Sequence, residues 1–420
     1  MYRSLCFFLL AALPITGCGT TNHHGDVAAD KLGDVSNPLP PPRPATAVLS
    51  AACGDGRLTA AGADRVLRAP YLQQATDHSV AILWTERAAG AAASVHVTLP
   101  SGGAVASVNP VVDWGGLPHG AVQLAAHIDG LAPATMYCYQ LVDHTGSLTD
   151  GAGFRTAPAV GQPGRVAFAA FGDSGYVGSD QLAVFSQVES LPLDVLIHVG
   201  DVEQRSGTLQ GYERAFFAPY ASLLSFIPFF PAPGNHDYQS DGGATYRHVF
   251  SLPEVGDRKG NERWYSFDWG AVHFLVYDTQ TMGDDQTAWV QADLAATRQP
   301  WKVAYGHRPP YSSGAHGSQS DVRNAFSPLF EKYGVSLVLS GHDHDYERTT
   351  PQNGVTYVVT GGGGAGTRPV GSSSFTAFSD QVLNFVYVVV EGDWLSLWAI
   401  DASGTPFDSA RIPRPRGSST

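Results

Sequence analysis

Between residues 171 and 347, five short polar stretches recur in this chain, each directly after an apolar run of strand character. They read Phe171-Gly172-Asp173-Ser174-Gly175, Gly200-Asp201, Gly234-Asn235-His236-Asp237, Gly306-His307-Arg308-Pro309-Pro310 and Ser340-Gly341-His342-Asp343-His344-Asp345-Tyr346-Glu347-Arg348. Strand ends can converge on one cleft, and carboxylate, amide oxygen and imidazole are ligands for divalent metals. One such stretch carries little information. Five in order predict a metal site where several strands terminate.

The surrounding pattern predicts two domains. From 66 to 157 it is all-β, with strand-like runs at 79–85 and 93–99 and an alternating segment at 131–141, bounded by Gly, Pro and Asp. The segment looks like a fibronectin type III-like sandwich, with Trp84 and Tyr137 as core residues. Residues 158–164 form the expected boundary. From 165 to 410 the period changes. Strands are predicted at 165–171, 194–199, 272–277, 301–305, 335–339, 355–360 and 385–391, and helices at 180–190, 286–297 and 321–332. Strands alternating with helices predict a layered α/β domain.

The N-terminus reads as a processing signal. Arg3 precedes the apolar stretch 5–13, which is too short for a permanent membrane helix and ends in Ile15-Thr16-Gly17-Cys18. Small residues before a Cys resemble a bacterial lipoprotein signal over 1–18, with Cys18 as the lipidated residue; the alternative is an ordinary secretory signal. Both predict an exported protein, periplasmic or at the cell surface. Residues 19–65, which include Pro38-Leu39-Pro40-Pro41-Pro42-Arg43-Pro44, read as a tether. Cys53 and Cys138 remain, and either form one disulfide in an oxidising compartment or stay as two buried thiols. The net charge of -13 argues against nucleic acid or an anionic membrane surface as a partner.

Two cations about 3.5–4 Å apart would neutralise a phosphate ester, lower the pKa of a bound water and steady the departing oxygen. Such a site needs a bridging carboxylate, for which Asp201 is the candidate, with Asp173 for one ion and Asn235 for the other. His342 and His344 are two residues apart, so on an extended segment both project to one side.

This order of motifs resembles the calcineurin-like metallophosphoesterases. The run Gly341-His342-Asp343-His344-Asp345-Tyr346-Glu347-Arg348 and the fibronectin-like leader narrow the resemblance to the purple acid phosphatase-like branch, over residues 66–400. The resemblance implies two facing mixed sheets flanked by helices. It implies one ion held by Asp173, Asp201 and His344 and a second by Asp201, Asn235, His307 and His342, the ions being Fe, Mn or Zn. It places His236 beside the phosphate or leaving oxygen and makes His316 a candidate second general acid. The expected reaction is hydrolysis of a small phosphate monoester by a metal-bound hydroxide.

The sequence departs from that pattern at two positions. The purple branch has a tyrosine three residues after the bridging Asp, where this chain has Gln204; other branches put a histidine where it has Gly175. Gln204 is a candidate neutral ligand, Tyr212 or Tyr176 a substitute, and the expectation is a colourless protein with divalent ions. Other readings are a diesterase or nucleotidase using the same metals, a degenerate phosphatase acting as a binding protein, and an adhesion protein working through its β-domain.

Several residues read as structural. His198, His248 and His273 are expected core histidines. Asp237, Asp343 and Asp345 are expected to orient ligands or turns. Arg308 and Arg348 could meet phosphate or hold loops by ion pairs. Residues 361–366, Gly-Gly-Gly-Gly-Ala-Gly, lack a P-loop ending and read as a tight turn.

Overall fold

The computed structural model describes residues 38–415, apart from 40, 42, 88–91 and 255–261. The expected signal with Cys18 lies outside the described residues.

Residues 66–155 form two antiparallel sheets. One runs Val66–Gln73, Val80–Arg87, Ala121–Ile128, Val111–Trp114; the other is built on Ala104–Val108, Ser94–Thr98 and Met136–Asp143. Trp84, Val95, Val97, Leu124, Tyr139 and Phe154 share one apolar core, so β-branched and aromatic alternation here does what the sequence predicts.

Residues 45–65 correct the expected tether. Ala45–Cys53 and Ala60–Arg65 are helices. The first lies on strands Met136–Asp143 and Ala152–Arg155, buries Leu49, and is bonded to the sheet by the Cys53–Cys138 disulfide. The second is capped by Thr59 and held by ion pairs from Arg65 to Glu86 and Asp143. Alanine is the best helix former, and the tertiary contacts supply what such short helices lack alone.

Residues 166–413 hold two mixed sheets. The first runs Phe229–Pro231, Val195–His198, Val166–Phe171, Asn384–Glu391, Trp394–Asp401, Pro406–Pro413, its first three strands parallel. The second runs Tyr265–Trp269, Val272–Val276, Trp301–Tyr305, Leu337–Ser340, Thr356–Thr360, Tyr346–Thr349, Thr376–Asp380, parallel from Val272 through Thr360. The sheets face one another. Phe230 stacks on Phe267 at 3.8 Å, Phe168 meets Phe274 edge-on at 5.2 Å, and the Tyr265 hydroxyl donates to the Pro231 carbonyl at 2.7 Å. Helices Asp284–Ala296 and Ser320–Tyr333 pack on each other and bury Val290, Leu294, Val322, Phe326 and Phe330 against the second sheet. Ser179–Glu189 lies by the first.

A polar seam joins the two halves. Arg68, buried, donates to Glu213, Gln123 and the Tyr71 hydroxyl. Gln73 donates to the Phe229 carbonyl at 2.6 Å, and Ser225 donates to that of Pro70 at 2.7 Å. The strand that Gln73 holds is the one leading to Asn235.

Candidate metal centre

Each of the five polar stretches leaves the C-terminal end of a parallel strand: Asp173 follows Val166–Phe171, Asp201 follows Val195–His198, and Asn235 and His236 follow Phe229–Pro231. His307 follows Trp301–Tyr305 and His342 follows Leu337–Ser340, in the opposite sheet. In open α/β sheets this edge is where functional groups gather. Asp173, Asp201 and His342 all take left-handed backbone, with φ of 58°, 53° and 70°. Non-glycine residues are held in that region when surrounding structure enforces it, a form of strain that clusters at functional sites.

One ligand atom from each of Asp173, Asp201 and His307 falls within 4.8 Å of the others, all three buried. His307 donates from Nδ1 to the Val199 carbonyl at 3.0 Å, which fixes its tautomer and ties the two sheets together. Its Nε2 then faces Asp201 Oδ2 at 3.2 Å and Asn235 Oδ1 at 3.1 Å. His344 Nε2 lies 3.3 Å from Asp173 Oδ1, and Gln204 Nε2 lies 3.4 Å from His344 Nε2. The His342 ring stands edge-on to His307 at 5.0 Å and stacks on His316 at 4.1 Å. His236 Nε2 lies 3.9 Å from Asp201 Oδ2, its Nδ1 turned to Gln239 at 3.2 Å.

Burial alone would raise the Asp201 carboxyl, but His307 and His236 hold it down at about 2. Burial disfavours charge on His307, yet Asp201 and Asp173 push it up to about 9. Burial, then His307 and His316, push His342 down to about 2. Lone pairs and negative charge thus converge on one buried point.

Around this centre, carboxylates fix the loops. Asp237 accepts from the backbone of Val202, Glu203 and Gly234 and from the Tyr212 hydroxyl at 2.7 Å. Asp343 accepts from Ser312 at 2.5 Å and from the His316 backbone at 2.7 Å, and lies 2.9 Å from His316 Nδ1. Gly234 is required by space, since a Cβ there would lie 2.1 Å from Asp201 Oδ1.

Several expectations need correction. His342 and His344 do not sit on an extended strand: residues 342–345 are bent and His342 is left-handed, so strand alternation does not set where the two rings lie. His248 is exposed and stacks on Trp114 at 4.7 Å rather than lying in the core. Asp345, buried, has no hydrogen-bond partner on either carboxylate oxygen; burial, then Asp343 and Glu347, push it up to about 8. Tyr212 is spent on Asp237, and Tyr176 is exposed under the Arg205 guanidinium, so neither replaces a ligand at Gln204. Arg308 is held by Gln319, the Thr279 carbonyl and Asp321, and Arg348 pairs in two-pronged fashion with Asp408. Arg308 thus holds a loop, while Arg348 ties strand Tyr346–Thr349 to strand Pro406–Pro413. His198 is buried and lies 2.8 Å from the Ser174 hydroxyl, and His273 lies between Asp268 and Asp293.

The Gly-rich loop after Thr356–Thr360 does more than turn the chain. Gly363 donates to the Gly172 carbonyl at 3.0 Å, Ala365 to that of Asp173 at 2.9 Å and Arg368 to that of His344 at 2.9 Å. A Cβ at Gly361 would lie 2.1 Å from the Asp343 carbonyl, so the loop's closeness depends on its having no side chain there. The loop carries Arg368 to the rim, where Nη1 lies 3.1 Å from His316 Nε2. A lone Arg after a glycine run gave no signal in the sequence.

Asp173 Oδ1, buried, accepts no hydrogen bond although His344 stands beside it, and Gln204 Oε1 is likewise unpartnered. An orphaned carboxylate oxygen among imidazoles and an amide is what a cation would satisfy, so this donor set fits transition-metal ions.

Residues 167–346 match the family model described as calcineurin-like phosphoesterase. The chain is 27% identical to a protein of Arabidopsis thaliana named probable inactive purple acid phosphatase 1, over 67% of this chain and 54% of that one. It is 32% identical to acid phosphatase type 7 of Danio rerio, over 53% of this chain and 56% of the relative. It thus spans little more than half the length of these relatives. The solved purple acid phosphatase from yellow lupin seeds superposes with a TM-score of 0.71 at 23% identity, covering 82% of this chain and 74% of that one, a likeness of fold.

Proposed function

Given that residues 167–346 form a calcineurin-like phosphoesterase domain, we propose that the chain is a metal-dependent phosphoric ester hydrolase that cleaves phosphate monoesters at a two-metal centre. The observation that carries the reading is the buried convergence of Asp173, Asp201 and His307 at the ends of strands from both sheets. In this reading Asp173, Asp201 and His344, with the Gln204 amide, hold one ion. Asp201, Asn235, His307 and His342 hold the other. Bound there, divalent ions would neutralise the ester and make a water acidic enough to attack near neutral pH. His236, its Nδ1 turned to Gln239, presents Nε2 beside Asp201 and can carry a proton to the leaving oxygen. Asp343 fixes the His316 ring for the same side of the reaction.

The Arabidopsis relative is named as probably inactive, and Gln204 is a weaker ligand than a phenolate, so a phosphate-binding protein without turnover is the second reading. One experiment separates them. Metal per chain is measured by elemental analysis, and phosphate release from phenyl phosphate is followed with Fe, Mn or Zn for the full chain and Asp201→Asn. Two equivalents of metal with turnover abolished in Asp201→Asn support the hydrolase. Metal without turnover in either protein supports the binding protein.

The two upstream sheets fit a fibronectin type III-like sandwich, and the Cys53–Cys138 disulfide fits an oxidising compartment, hence export with Cys18 as lipid anchor. Mass analysis of the N-terminal peptide from the source cell tests the anchor: an unmodified Cys18 sinks it.

A further inference from the structure

The Arg368 guanidinium is the positive group on the rim that the proposed reaction leaves unused. Nη1 lies 3.1 Å from His316 Nε2 and 3.2 Å from Nδ1. Lying within 3.2 Å of both ring nitrogens, Nη1 turns one N–H onto the His316 ring, whose Nδ1 faces Asp343 at 2.9 Å. Its position is fixed: its own N–H donates to the His344 carbonyl, and Ala365 and Gly363, a few residues before it, are bonded to Asp173 and Gly172. Arg368 has no carboxylate within ion-pair distance among the described residues, in a protein of net charge -13. Asp343, the acid that faces the same histidine, is already engaged by Ser312 and His316. Arg308 and Arg348, the other arginines of the signature motifs, are both bound to carboxylates. Arg368 is partly exposed, so four further N–H donors remain for something from solvent.

We propose that Arg368 is a specificity-determining residue that binds a second anionic group carried by the substrate's leaving part, so that the site prefers phosphate esters of acidic alcohols. The inference rests on the hydrolase reading above. In the hydrolase reading His316 stands with His236 on the leaving-group side, and a guanidinium in contact with it would meet what the leaving oxygen carries. A planar guanidinium pairs two-pronged with carboxylate or phosphate.

The test compares phenyl phosphate with 4-carboxyphenyl phosphate on the metal-loaded full chain, on Arg368→Gln and on Arg368→Lys. A hydrogen bond to a charged group contributes about 1.5–3 kcal/mol, so Arg368→Gln should raise KM for the carboxylated ester about 10- to 100-fold. For the plain ester KM should stay within about threefold, whatever kcat does through the contact with His316, and Arg368→Lys should recover part of the KM loss. Calorimetric binding of phenylphosphonate and 4-carboxyphenylphosphonate, which cannot turn over, is read alongside and should show the same selective loss. Equal losses on both ligands, or none, overturn the inference. If the wild-type chain turns over neither ester, the hydrolase reading fails, while the phosphonate pair still decides the role of Arg368.

Discussion

The side-chain amide of Gln204 lies 3.4 Å from Nε2 of His344, which itself faces Asp173 Oδ1 at 3.3 Å. The residue three places after Asp201 therefore reaches the side of the centre proposed for the first ion, and its identity would decide what an ion there receives. A neutral amide oxygen stabilises a trivalent ion poorly. The iron-loaded wild type should lack a strong visible absorption band, and Gln204→Tyr, which places a phenol at the same point, should gain one that fades on reduction. A visible band in the wild type that survives in Gln204→Ala would contradict this assignment.

At Gly234 the Asp201 carboxylate leaves no room for a methyl group, a Cβ falling 2.1 Å from Asp201 Oδ1. Gly234→Ala should displace Asp201 or the loop of Asn235, lowering kcat by about a hundredfold or more. Bound metal, counted per chain, should fall below two equivalents while circular dichroism stays native. Full occupancy with full activity would show that Asp201 does not need its observed position.

His273 gives a pH-dependent stability term away from the centre. Burial disfavours its charge, but hydrogen bonds to Asp268 and Asp293 at 2.8 Å each outweigh it and push the imidazole up to about 9. A raised folded-state pKa stabilises fully below the unfolded value of about 6.5 and loses its effect as pH rises through the folded one. His273→Gln should therefore cost on the order of 2 kcal/mol in urea unfolding at pH 6, and clearly less at pH 9.5. A gap that does not change with pH would mean the ring is neutral throughout.

The disulfide closes a span with a sequence separation of 85 between Cys53 and Cys138. Chain-entropy reasoning gives a stabilisation of about 4 kcal/mol for a loop of that size. Cys53→Ser with Cys138→Ser should lower the melting temperature by several degrees and leave KM unchanged, because helix Ala45–Cys53 touches the upstream sheet rather than the metal ligands. An altered KM would show that the clasp reaches the site.

The strands that carry Asp173, Asp201, His307 and His342 were legible because each is a short apolar run that stops at a polar residue, and their order alone implied a shared edge. The left-handed backbone at Asp173, Asp201 and His342 was not, since Asp and His are enriched at positive φ yet mostly adopt negative φ, so the residue type alone does not mark it. Residues 45–65 were misread because a helix of small residues has little apolar periodicity, and the partner that stabilises it lies about ninety residues downstream. Arg368 stayed invisible for a similar reason: its meaning comes from His316, 52 positions away in sequence.

The seam through Arg68, Gln73 and Ser225 has a practical consequence for dissecting this protein. Gln73 grips the strand that ends at Asn235, and a buried guanidinium spans the boundary to Glu213. Cutting the chain near residue 160 would strip a buried carbonyl of its donor and leave aromatic surface at Phe217 and Phe250 open to water. The β-domain behaves as a foundation wall of the domain that carries the metal centre, and a loss of function on deleting it would report a collapsed support as readily as a lost partner.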